Sequence, residues 1–95
     1  MLIDKPIKSG DTVTVKLNNG EELIARFEEE NGNELSLSKV VVLAPGAQGI
    51  GMVPWLMSTE PTKVKINKSN ILTYAPTQKD IADKYIEMTS SIKLV

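Results

Sequence analysis

The sequence contains no cysteine and no histidine. The first absence excludes a disulfide framework and thiol chemistry; the second removes the commonest general base and the commonest metal ligand. A nucleophile here would need activation by lysine or carboxylate, and no serine has a partner indicated by spacing. No enzyme activity and no catalytic residue are therefore expected. The carboxylates lack the spacing of a calcium loop, so no metal site or other cofactor is expected either. Charge of neither sign dominates, with 11 Lys and Arg against 12 Asp and Glu. That balance sets up no overall field favouring a polyanion. No apolar run approaches the roughly 18 residues of a membrane span, and the start MLIDKPIKSG lacks the apolar stretch of a secretory signal. The expectation is a soluble, cytoplasmic protein with no membrane partner.

What is present is pattern. The 95 residues suffice for one small domain, of a size that often gains stability by self-association. From Asp11 the chain alternates with period two, placing Val13, Val15 and Leu17 on one face and Thr12, Thr14 and Lys16 on the other. Asn18-Asn19-Gly20 is a tight-turn signal, because asparagine and glycine tolerate positive φ. The next run directs Leu23, Ala25 and Phe27 inward; Asn31-Gly32-Asn33 turns the chain again, and Leu35 and Leu37 resume the alternation. Two hairpins in succession make an antiparallel meander. Val40 to Leu43 is a continuous apolar run, either buried on both faces or in contact with another chain. Residues 44–61, rich in glycine and proline, read as a long connection with apolar content, including Trp55. A fourth strand, TKVKIN, directs Val64 and Ile66 to one side, and ILTYA makes a short fifth.

The last segment changes to helical period. Thr77 with Asp80 reads as a capping box, and Ile81, Tyr85, Met88 and Ile92 recur at three to four residues. The spacing predicts an amphipathic helix over about 77–91 that caps the rest of the fold or binds a partner.

Val13-Thr14-Val15-Lys16-Leu17-Asn18-Asn19-Gly20, with Leu35-Ser36-Leu37 further on, resembles the first motif of the Sm and Sm-like (LSm) family. Ala25 stands where that family usually has a second glycine. Ile66-Asn67-Lys68-Ser69-Asn70-Ile71 falls on the second motif, with Asn67-Lys68 in place of the family's Arg-Gly. The resemblance covers residues 10–43 and 62–76. It implies a mainly β fold: a five-stranded, strongly bent antiparallel small barrel (SH3-like) over about residues 10–76, followed by the C-terminal helix. It also implies a homo-oligomeric ring, in which the fourth strand of one subunit pairs with the fifth of the next.

Strand edges left open invite pairing with another chain, and a head-to-tail contact either closes into a ring or grows without end. The candidate contact residues are Val40, Val42, Trp55, Ile71, Leu72 and Tyr74, with a monomer core as the alternative reading of the same apolar runs. The partners implied are a second copy of the chain, single-stranded RNA, or another protein. RNA would meet Asn31, Asn33, Asn67 and Lys68 at the pore loops, where asparagine reads base edges and lysine neutralises phosphate. The same residues equally serve turn geometry. The acidic set Glu21, Glu22, Glu28, Glu29, Glu30 and Glu34 reads as a solvated strand face or as a surface for a basic partner. Trp55 either plugs against a partner or covers the barrel's open end.

Overall fold

The computed structural model describes residues 6–46, 49–56, 58 and 63–93, the last three without their side chains. Met57, Ala47, Gln48 and the side chain of Ile92 lie outside the described residues. Among those described, six strands and one helix follow in chain order: β1 (Thr12–Leu17), β2 (Glu22–Glu30), β3 (Glu34–Gly46), β4 (Gly49–Pro54), β5 (Val64–Asn67), β6 (Ile71–Pro76) and α1 (Lys79–Lys93). A single 3-10 turn, Lys68–Asn70, joins β5 to β6.

The expected meander is present. β1 pairs antiparallel with β2, β2 with β3, and β6 returns to β1. Each turn is held by its asparagine. The Asn19 side-chain oxygen accepts from the Glu21 N–H at 2.9 Å, and the Asn31 oxygen accepts from the N–H groups of Asn33 and Glu34 at 2.9 and 2.8 Å. Gly20 takes a φ of 96°, a conformation that costs a Cβ-bearing residue but not glycine.

The architecture is mainly β with a C-terminal helix, but the sheet has six strands and is not closed. Its strand order is β4-β3-β2-β1-β6, with β5 also on β3. The extra strand corrects the reading of 44–61 as a long connection: β3 runs on to Gly46, and β4 occupies Gly49–Pro54. Glycine and proline concealed it. The Trp55 N–H donates to the Val40 carbonyl at 3.0 Å, and pairing continues from there as Val41↔Pro54 through Pro45↔Ile50 to Gly46↔Gly49. Antiparallel pairs alternate between hydrogen-bonded and not, so both prolines fall in pairs that need no N–H.

The inner face of the sheet gathers Val13, Val15, Leu17, Leu23, Ala25, Phe27, Leu35, Leu37 and Ile66. A second cluster lies on the opposite face: Ile24, Val41 and Tyr85 are buried, with Leu43, Met52, Ile81 and Met88 packed around them. The helix therefore covers the outer face of β2, β3 and β4. Strict alternation assigns Ile24 to solvent; in the fold it is fully buried, because α1 supplies the apolar partner. Each fully buried large aliphatic contributes roughly 1.5–3 kcal/mol relative to exposure.

A β-bulge makes the two-faced arrangement possible. Ile24 pairs with Val41 and Arg26 with Ser38, so Lys39 and Val40 together oppose Ala25. Lys39 has a φ of 52°, in the left-handed region. The extra residue changes the phase of β3: Leu35 and Leu37 before it and Val40 and Val42 after it all serve the interior, while Val41 and Leu43 turn under the helix. The Tyr85 hydroxyl donates to the Lys39 carbonyl at 2.6 Å, pinning α1 to the bulge.

The helix begins two residues later than its expected start. The Thr77 hydroxyl pairs with that of Thr14 at 2.9 Å, and the Ala82 N–H bonds to the Gln78 carbonyl. Thr77 thus fastens the end of β6 to β1 instead of forming a capping box.

Candidate nucleic-acid and subunit interface

Two loops meet at one end of the sheet. The Lys68 N–H donates to the Asn33 carbonyl at 2.8 Å, tying the 3-10 turn to the β2–β3 turn. Glu34↔Asn67 is the adjoining pair between β3 and β5. Asn31, Asn33, Asn67 and Lys68 are therefore neighbours, although 36 positions separate the two turns' first asparagines in sequence (67 − 31).

Their side chains are partly committed. The Asn31 oxygen holds its own turn, and the Asn67 oxygen accepts from the Ser69 N–H at 2.9 Å as the cap of the 3-10 turn. The Lys68 ammonium pairs with the Glu30 carboxylate. The Lys68 hydrogen bond, followed by that from Tyr74, holds the Glu30 carboxyl below its ordinary value. Burial, then the bond to Glu30, pushes the Tyr74 phenol up. Neither Glu30 nor Tyr74 is among the residues expected at the pore loops; Tyr74 stands among the candidate subunit contacts and Glu30 in the acidic set. Their spacing carries no signal, because Tyr74 lies 44 positions beyond Glu30 in sequence (74 − 30).

The acidic set is largely paired. Glu22 meets Lys16, Glu28 meets Arg26 and accepts from the Ser38 hydroxyl, and Glu21 accepts from the Trp55 indole at 3.2 Å. Trp55, half-buried, lies against the interior cluster of its own chain.

Val40, Val42, Ile71 and Tyr74 are also half-buried against that cluster. Leu72 differs, at 66 % exposed. The β1–β6 register explains it: Lys16 pairs with Thr73 and Leu17 with Ile71, so Leu72 is an extra residue with no counterpart on β1. Beside it an open groove of about 330 Å³ is lined by Lys68, Ile71, Leu72, Thr73 and Tyr74. Ile50, Val53 and Leu56, on and just after β4, are exposed apolar residues that sequence reasoning did not single out as contacts. Their position in a glycine-rich segment masked the strand that presents them.

The sheet thus ends in β6 on one side and in β4 and β5 on the other. Comparison of the fold with solved structures finds a heptameric archaeal Sm protein, superposed with a TM-score of 0.53 at 15 % identity. The match covers 75 % of this chain and 91 % of that one. No protein-family model matches the sequence, and no curated protein matches it. The chain has an Sm-like fold, with the helix placed after the strands and an additional β4. Among the described residues no helix is long and apolar enough to cross a membrane.

Proposed function

We propose that this protein is a non-enzymatic, cytoplasmic ring-forming subunit, assembling with copies of itself through its open sheet edges. The observation that carries the reading is the pair of edges left unpaired among the described residues, β6 on one side and the outer edge of β5 on the other, in a sheet of Sm-like fold. Their charges favour head-to-tail pairing. Lys63 and Lys65 on and beside β5 are exposed and make no ion pair among the described residues, so β5 against β5 would set like charges together. Residues 71–76 of β6 carry no charge and accept such a strand without repulsion. Leu72 and the groove beside it then take the neighbour's side chains. The archaeal Sm protein of similar fold is heptameric, which supports this reading.

RNA binding at the joined loops is the second reading, favoured by the Lys68–Asn33 link that gathers all four candidate residues. Against it, Lys68 is neutralised by Glu30, and the two turn asparagines have spent their oxygens. A protein-interaction or structural ring is accordingly the reading the geometry supports best. Native mass spectrometry of protein purified at low salt without nuclease tests both. A discrete cyclic oligomer, lost in Leu72→Lys with an unchanged circular dichroism spectrum, supports the ring; a monomer refutes it. Binding of U-rich or A-rich RNA that survives moderate salt and falls in Asn67→Ala or Lys68→Ala would establish the RNA site instead of a bare scaffold.

A further inference from the structure

Among the described residues β4 is a third free edge, and its chemistry differs from the other two. β2 pairs with β3 only as far as Leu23↔Val42, so beyond Val42 the strands β3 and β4 pair with each other alone. A two-stranded ribbon needs a third strand or a packed helix to be stable in water. Here α1 packs on Leu43 and Met52, while the outer strand edge has no neighbour among the described residues. Edges exposed in this way are ordinarily guarded by charge. Here residues 40–59 contain no charged residue, while Ile50 and Val53 are 58 % and 44 % exposed.

The hydrogen-bond phase fixes which groups are available. Because the 40/55 pair is hydrogen-bonded, the alternation makes 42/53 and 44/51 hydrogen-bonded too, and turns the backbone of Ile50 and Met52 away from β3. Pro54, next in that phase, has no N–H and ends the usable edge. A twofold antiparallel contact centred on Gly51 sets Ile50 opposite the partner's Met52, both with free N–H and C=O groups, and Gly51 opposite the partner's Gly51. An isologous contact needs a self-complementary patch, which a strand without charge provides and lysine-bearing β5 does not.

We infer that the β4 edge joins two copies of this chain about a twofold axis through Gly51, extending β3–β4 into a four-stranded sheet. The contact is separate from the β5–β6 edges and does not depend on ring formation. If rings form, it links one ring to another.

The absence of cysteine supplies a clean test. In the proposed register Gly51 occupies a non-hydrogen-bonded pair, with Cα atoms about 4.5 Å apart, at the short end of the range a disulfide spans. A Cβ at Gly51 meets nothing closer than the Ala44 carbonyl at 3.6 Å, and Ile50 is exposed, so substitutions at either position are compatible with the fold. Gly51→Cys is expected to form a covalent dimer under mild oxidation at micromolar concentration, with Ile50→Cys giving at least tenfold less. Adding Ile50→Lys to Gly51→Cys should reduce the cross-link at least tenfold, while adding Leu72→Lys should leave it unchanged. Absence of the Gly51→Cys dimer, or equal yields at 50 and 51, overturns the twofold contact. A cross-link that persists in a protein forming no cyclic species supports it and refutes only the ring.

Discussion

Replacing Tyr85 by phenylalanine removes one oxygen and tests how the helix is fastened to the sheet. Tyr85 is 2 % exposed, and its hydroxyl donates to the Lys39 carbonyl at 2.6 Å, with the Ser38 carbonyl at 3.4 Å beyond normal bonding range. The net value of such a bond is about 0.5–1.5 kcal/mol, and leaving a buried acceptor without its donor raises the loss to about 1–3 kcal/mol. The ring itself remains packed on Ile24 and Val41, so no cavity term is added. A destabilisation of about 1.5 kcal/mol follows. With a urea slope near the lower end for small proteins, about 1–1.5 kcal/mol per molar, the midpoint should fall by roughly 1 M with the slope unchanged. The measurement is urea unfolding followed by circular dichroism at one fixed protein concentration, because association also contributes to apparent stability. A shift below about 0.3 M would mean that the hydroxyl is not what anchors α1 at the bulge, and the account of the two-faced sheet would lose its pin.

Ile24→Ala should cost about 2–5 kcal/mol in the same assay, comparable to Leu23→Ala, because α1 buries Ile24 fully. A loss under 1 kcal/mol would place Ile24 in solvent and the helix elsewhere. Lys39→Gly should stabilise by about 0.5–1 kcal/mol, since it relieves a left-handed conformation that disfavours a Cβ, less the added entropy of the unfolded chain; destabilisation would refute the bulge geometry. Burial pushes the Tyr85 phenol far above its ordinary value, and Tyr74 is raised as well. The stability each contributes is complete below the unfolded value of about 10 and is lost as pH rises from there toward the folded value. Absorbance titration should therefore show Tyr74 ionising first and Tyr85 only on alkaline unfolding; two phenolates at pH 10.5 in folded protein would contradict this.

The strands β1, β2, β5 and β6 and the two asparagine turns were legible because each depends on local rules, period-two alternation and positive-φ tolerance. The buried face of Val13, Val15, Leu23, Ala25, Phe27, Leu35 and Leu37 follows from that alternation alone. The helix was legible from its period, except for its start, where Thr14 claims the Thr77 hydroxyl across 63 positions. The loops carrying Asn31, Asn33, Asn67 and Lys68 were readable as turns, but their meeting was not, since it depends on β5 lying against β3.

What sequence by itself determined is the local conformation: which residues alternate, where the chain must reverse, and which segment is helical. Those follow from interactions within a few residues. What only the tertiary structure decided is everything set by partners far along the chain. Val40 to Leu43 became a strand buried on both faces because the Lys39 bulge divides it between the sheet's inner cluster and α1. The glycine- and proline-rich stretch became β4 because its prolines fall where the ladder needs no donor. Lys68 became half of an ion pair because β5, lying against β3, brings the turn that follows it to Glu30. A side chain's pattern sets which way it points along its own strand; whether water, a helix or another strand waits there depends on contacts that sequence spacing does not encode.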